Sequence, residues 1–190
     1  EYHQAGKISP PRLGVGNATV VARFSVSLLL ININALVLSR HEVFAAQPAR
    51  EMLSDNHWIV PTIAGEYRVN KPPTMGWFIA ASMMVFQSKA EWVARLPAML
   101  AGVGTCLLLA SMTTRHLGRR VGLLTGLLTA TSLFVLTQAR LSEADMPLVM
   151  FVVLAFWVIS RFIHQAEVGK TELAAAAPVV GWSVMFFFAV

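Results

Sequence analysis

Apolar blocks long enough to cross a bilayer dominate this chain, and they constrain its fold more than any motif does. A helix needs about 20 residues to span the hydrocarbon core. Leu96–Thr114, Val121–Ala139, Met146–Ile163 and Leu173–Val190 each approach that length. An earlier block, Leu13 to Leu38, is interrupted by Arg23, Asn32 and Asn34, yet its later half from Phe24 carries no charge and still reads as a span. The chain is 56% hydrophobic and 13% charged, with a mean hydropathy of +0.61, too apolar for an ordinary soluble domain. The expected fold class is all-α: a multi-pass transmembrane helical protein.

The single cysteine, Cys106, lies inside a span and allows no intrachain disulfide. The first apolar block is too long for a signal peptide and lacks a small-x-small cleavage site. The chain starts at Glu1 rather than Met and stops inside "VMFFFAV", so it is expected to be the front of a longer protein. The net charge of +5 comes from basic residues at the ends of spans, as topology requires, and nucleic acid is not an expected partner.

Lys and Arg in short loops set orientation. Lys7 and Arg12, then "RHLGRR" (Arg115 to Arg120), then Arg161 to Lys170 fall on one side, the cytoplasmic one. This gives three regions: residues 1–38, a cytoplasmic N-terminus and first span; residues 39–95, an outer loop; and residues 96–190, four further spans. The turn "RLSEAD" also faces outward. Within the loop, "HEVFAAQPAREML" reads as an amphipathic helix and "VPTIAGEYRVNKPP" as irregular. Thr74–Phe86 is apolar but only 13 residues long, so it is expected to lie on the outer membrane surface.

The outer segments hold the residues that could do chemistry. Glu42, Arg50 and Glu51 share one helix, Lys71 precedes Pro72 and Pro73, and Glu143 and Asp145 sit between two spans. A cation can hold a lipid phosphate while a carboxylate takes a proton from an attacking hydroxyl. Each residue also has a structural reading. Glu42 suits the first turn of a helix, where the dipole favours acids. Asp145 suits a helix N-cap, and Glu143 a turn. His41 is either interfacial or a neutral base. Arg50 either pairs with Glu51 or Glu42 or binds phosphate. Lys71 is the strongest phosphate ligand, because the rigid Pro-Pro step fixes it. "GEYR" reads as a turn, and Trp58, Trp77 and Trp92 as an interfacial aromatic belt. Asn32 and Asn34 are expected to bond neighbouring helices. His57, His116 and His164 show no metal-ligand spacing.

The ordered stretches "HEVFAAQPAREML", "HWIVPTIAGEYRVNKPPTMGWFIA", "EWVARLPAMLAGV" and "GRRVGLLTGLLTATSLFVLTQARLSEADMPL" resemble the front of bacterial lipid-linked glycosyltransferases of the GT-C class. The similar group is the dolichyl-phosphate-mannose protein mannosyltransferase-like family, which includes aminoarabinose transferases. The resemblance implies surface helices of the first outer loop lying over a cavity. It also implies a polyprenyl-phosphate sugar donor and inverting transfer to a lipid, glycan or protein acceptor on the outer face of the cell inner membrane. By motif, "AREM" (Ala49 to Met52) is intact, Glu42 matches the Glu of an Asp-Glu pair, and His41 replaces the Asp. Phe44 and Ala45 stand where aminoarabinose enzymes carry Arg and Tyr, which argues against that sugar. Lys71, Pro72 and Pro73 are kept after Asn70, which replaces an acid and leaves a divalent metal cofactor open. "SEADMP" keeps Asp145, Met146 and Pro147 of "LTDMP".

The expected catalytic residues are therefore Glu42, Asp145 and His41, with Lys71 and Arg50 binding the donor phosphate and no residue assigned to a metal. Two other readings stand beside this one. The first is a non-catalytic member of the fold, suggested by the two motif departures. The second is a transporter or flippase, which predicts charged or broken helices at mid-membrane.

Overall fold

The computed structural model describes residues 11–31, 33, 38–68, 71–167 and 182–183, with side chains to residue 161 in the last helix. The expected span at Leu173–Val190 and the residues Asn32, Asn34 and Asn70 lie outside these, Trp182 and Ser183 excepted. The described chain is helical apart from one two-residue hairpin. In order it forms α1 (Val15–Leu30), α2 (Arg40–Asp55), β1 (Thr62–Ile63), β2 (Glu66–Tyr67), α3 (Thr74–Phe86), α4 (Glu91–Leu117), α5 (Arg119–Thr131), α6 (Leu133–Gln138) and α7 (Asp145–Glu167).

Among the described residues one helix, α4, is long and apolar enough to cross a membrane, with a mean hydropathy of 1.7 over its apolar window. It is the centre of the fold: α1, α3, α5 and α7 all pack on it. The core runs along it through Val93, Ala98, Cys106 and Ala110, with Val21 and Leu29 of α1, Ile79 of α3 and Met146 of α7. The small residues of α4 let its neighbours approach closely.

That approach is closest at α5. Gly122, Gly126 and Ala130 recur at four-residue spacing and are all buried. A Cβ at Gly122 would meet Thr114 Oγ1 at 1.9 Å and the Ala110 carbonyl at 2.7 Å; one at Gly126 would meet Val21 of α1 at 2.8 Å. Gly118, at φ +91°, makes the turn between α4 and α5 that a side chain would strain.

The block Val121–Ala139 departs from its expected form. It is not one helix but two, broken at Ser132, whose backbone is extended and whose side-chain hydroxyl caps α6 by accepting from the Val135 amide. Thr125, Thr129 and Thr131 bond back to carbonyls three or four residues earlier, and Ser132 bonds to Thr129. Such back-bonding competes with the helix ladder, which is why an apolar block of span length does not stay continuous. Where α6 ends, Arg140 donates to the Leu28 carbonyl, satisfying one of the last carbonyls of α1.

The loop helices follow their local signals. Ser39 and Glu42 form a reciprocal capping box that starts α2, and Asn56 in the left-handed region ends it. Pro72 and Pro73 lead into α3, which runs over the expected Thr74–Phe86. It buries Ile79, Ala80 and Met83 against the core and exposes Met84, Val85 and Phe86.

Gly122→Ala should lower the thermal stability of the purified protein in detergent by the equivalent of about 1–3 kcal/mol, the usual cost of overpacking against atoms that cannot yield. Gly16→Ala, whose Cβ would meet nothing within 4 Å, is the control and should unfold at or above the wild-type temperature. Equal melting temperatures for the two variants would contradict the close helix contact.

Candidate active site

Glu42 is 1% exposed and Arg95 4%, although both carry full charges. The Arg95 guanidinium grips the carboxylate with two nitrogens: Nε lies 2.7 Å from Oε1 and Nη2 lies 3.2 Å from Oε2. The Ser39 amide donates to Oε2 at 2.8 Å and the Ser142 amide to Oε1 at 3.1 Å. Arg95 also donates to the Ile33 carbonyl, and Ser142 Oγ to the Ala94 carbonyl at 2.9 Å. One ion pair thus ties together the end of the first apolar segment, the start of α2, the first turns of α4 and the turn before α7. Burial alone would raise the Glu42 carboxyl pKa; the Arg95 hydrogen bond, the two amides and the Arg95 charge outweigh it and hold it below the usual carboxylate range.

Glu51 fixes the hairpin. Its carboxylate accepts from Thr62 Oγ1 at 2.6 Å, from the Ala64 amide at 2.8 Å and from Gln47 at 2.9 Å. Ala64 and Gly65 both have positive φ, as a tight two-residue turn between twisted strands requires. Burial raises the Glu51 carboxyl pKa too, and the bonds from Thr62, Gln47 and the turn amides bring it below its ordinary value.

Pro48, inside α2, has no N–H for the carbonyl of Phe44 one turn earlier. Arg68, just past the hairpin, supplies the missing donor and lies over the Phe44 ring, with Cζ 4.8 Å from its centroid. The proline therefore leaves an acceptor that anchors an arginine beside Lys71.

These anchors surround a cavity of about 340 Å³ between α2, the hairpin, the Pro72-Pro73 step and the start of α7. Its walls carry His41, Arg68, Lys71, Glu143 and Asp145, with Phe44, Met52 and Met75 as apolar lining. Basic, acidic and imidazole groups share one space of the size that small ligands occupy. Asp145 is exposed in the first turn of α7.

Of the residues expected from sequence, the cavity brings together His41, Lys71 and Asp145, with Glu143 beside them. Glu42 does not line it; its carboxylate points to Arg95. Arg50 does not line it either, and its Nη2 donates to the Lys89 carbonyl at 3.1 Å rather than to Glu51 or Glu42. Trp77 Nε1 donates to the Trp58 backbone carbonyl at 2.7 Å, so this ring braces α3 against the segment that follows α2. Among the described residues no three His, Cys, Asp or Glu side chains converge closely enough to hold a metal ion.

Sequence reading missed Arg95 and Arg68. Arg95 had a signal: an arginine in the first turns of an otherwise apolar helix, "EWVARLPAML", opposes the helix dipole and needs an acidic partner. Arg68 had none, since its role depends on a carbonyl freed 24 residues earlier.

The chain is similar in sequence to known proteins. Residues 70–189 match the family model of dolichyl-phosphate-mannose-protein mannosyltransferase. An uncharacterised protein of Aquifex aeolicus is 32% identical over 125 residues, 66% of this chain and 29% of its own length. The Bacillus subtilis protein "Putative mannosyltransferase YkcB" is 30% identical over 118 residues, 62% of this chain and 16% of its own length. The matched part thus spans less than a third of these relatives. No solved structure matches.

Because the folded-state pKa of Glu42 lies below its unfolded value, its contribution to stability is complete above the ordinary carboxylate range. It is lost as pH falls through the depressed value. Glu42→Gln should therefore flatten the acid limb of stability against pH. At neutral pH it should cost about 3–5 kcal/mol by leaving the Arg95 charge buried without a counter-charge. Thermal unfolding from neutral to acid pH checks both, and an unchanged acid limb would refute the assignment.

Proposed function

Because this chain belongs to the dolichyl-phosphate-mannose-protein mannosyltransferase family, we propose that it transfers a sugar from a polyprenyl-phosphate donor to a hydroxyl of a lipid, glycan or protein acceptor. The single observation that carries this reading is the cavity in which Lys71 and Arg68 stand with Asp145 and Glu143. A lipid-phosphate donor needs cations at its leaving group and a carboxylate at its acceptor, and this cavity supplies both.

In the proposed reaction Lys71 and Arg68 hold the donor phosphate, with the Pro72-Pro73 step limiting how far Lys71 swings. The acceptor oxygen attacks the anomeric carbon from the face opposite the phosphate. A new C–O bond forms as the bond to phosphate breaks; the electron pair leaves with the phosphate, and the attack inverts the centre. Asp145 takes the acceptor proton, and the cations stabilise the charge developing on the phosphate. The His41 imidazole is the second acceptor of that proton within the same cavity. Glu42 already receives four hydrogen bonds and is held ionised by Arg95, so its role here is to position His41 and the turn that leads to Asp145. Arg50 stays outside the reaction.

The proposal includes a multi-pass topology with the cavity on the outer face of the cell inner membrane. It is supported by the apolar blocks, by α4, and by the grouping of basic residues at the end of the helices away from the cavity.

A second reading has one observation in its favour. His41 lines the cavity where the family motif carries Asp, as expected of a member that binds the donor without turning it over.

Transfer from a panel of polyprenyl-phosphate sugars by the full-length protein separates the two. Asp145→Asn should lower the transfer rate by about 10²–10⁴-fold, the range for loss of a general base. Lys71→Ala should weaken donor binding and slow transfer together. Unchanged transfer in both variants sinks the assignment, whereas donor binding with no transfer from any sugar favours the non-catalytic reading.

A further inference from the structure

Among the described side chains, the end of the bundle away from the cavity carries charge of one sign. From Asp145 to Arg161, α7 rises about 24 Å at 1.5 Å per residue. At that far end Arg161 and Arg115, the latter near the end of α4, both lay their guanidinium groups over the Trp157 ring. Their Cζ atoms lie 4.7 and 6.0 Å from its centroid. The indole is fixed between α4 and α7, with Nε1 donating to Ser111 Oγ at 3.3 Å. Arg12, ahead of α1, and Arg161 are both near enough to repel the Arg115 charge. Arg119 and Arg120 open α5 on the same turn.

Every Asp and Glu whose side chain is described lies within residues 42–91 or 143–145, at the cavity end. Like charges gathered on one indole repel each other, and long side chains at a helix end are free to swing apart into water. Here two converge on one ring, bringing to one end of the bundle the N–H donors that take phosphate oxygens.

We propose that Arg115, Arg161 and Arg12, braced by Trp157, form a site for the phosphate of an anionic phospholipid headgroup. The site serves the leaflet at this end of the bundle, which is the cytoplasmic leaflet in the topology proposed above, and the inference rests on that membrane reading. A lipid rather than a free phosphate is the ligand because Leu117, Phe156 and Ile159, on the same two helices, expose apolar surface beside the cluster. Charge steers the headgroup in, and that surface takes the first part of the acyl chains.

The test is lipid titration of the full-length protein in phosphatidylcholine nanodiscs with increasing phosphatidylglycerol, read by thermal shift. Phosphatidylglycerol should raise the melting temperature saturably, and inorganic phosphate should not. Arg115→Gln/Arg161→Gln should weaken the apparent affinity by about fivefold for each charge removed. Arg119→Gln/Arg120→Gln, which removes the same charge outside the Trp157 stack, should weaken it less. Lys71→Ala, at the other end of the molecule, should leave it unchanged whether or not transfer is lost. Equal losses from the two arginine pairs, or the same shift from inorganic phosphate, would overturn the site. A protein that enters phosphatidylcholine bilayers without preferring phosphatidylglycerol overturns the site alone. One that does not enter them overturns the membrane reading with it.

Discussion

The bidentate pair between Glu42 and Arg95 is the interaction on which the rest of the cavity depends. Its two members are 53 residues apart in sequence, and the third party, the Ser142 amide, is 100 residues from Glu42. The pair closes the loop that holds α2, the hairpin and α3 onto the first turns of α4 and the approach to α7. A buried ion pair brings little net stability over well-packed apolar residues, because desolvation offsets most of the attraction. What it brings here is geometry. His41 is the neighbour of Glu42, and Ser142 lies in the turn that leads directly into α7 at Asp145, so fixing one carboxylate fixes two walls of the cavity.

The same economy appears in the rest of α2. Each residue that departs from ordinary helix chemistry answers to something outside the helix. Pro48 cannot bond Phe44, and Arg68 takes the vacant carbonyl. Glu51 faces inward and holds the Ala64-Gly65 turn. These two contacts place Arg68 on the same cavity wall as Lys71 and the Pro72-Pro73 step. A site that must hold a charged phosphate near an apolar surface gains from ligands whose own supports are already satisfied, since little reorganisation is left to occur on binding.

Local structure was legible in the sequence and long-range partnership was not. α3 covers the stretch expected of it because apolar length and the preceding prolines are local signals. α2 was legible for the same reason, and so was the gathering of Lys71 and Asp145, through motifs already recognisable in "NKPP" and "ADMP". The break at Ser132 was not read, because hydropathy counts threonine and serine as mildly polar and says nothing of their bonds to the preceding turn. Glu42 was read as a catalytic carboxylate, a first-turn acid or a partner of Arg50, because Arg95 lies in a different motif. Arg50 was favoured over Arg68 because it is part of an intact "AREM", whereas Arg68 owes its position to a missing amide. Residue type and spacing marked the site; the division of labour within it came from contacts that no local window contains.

The most direct test of this account is a double-mutant cycle on the central pair, read as unfolding free energy of the full-length protein in detergent. The variants are Glu42→Gln, Arg95→Met and both together. If the pair acts as one unit, the double variant costs less than the sum of the singles, with a coupling of about 0.5–3 kcal/mol. Additive costs would mean that Glu42 and Arg95 act independently, and the cavity would need another explanation for its shape.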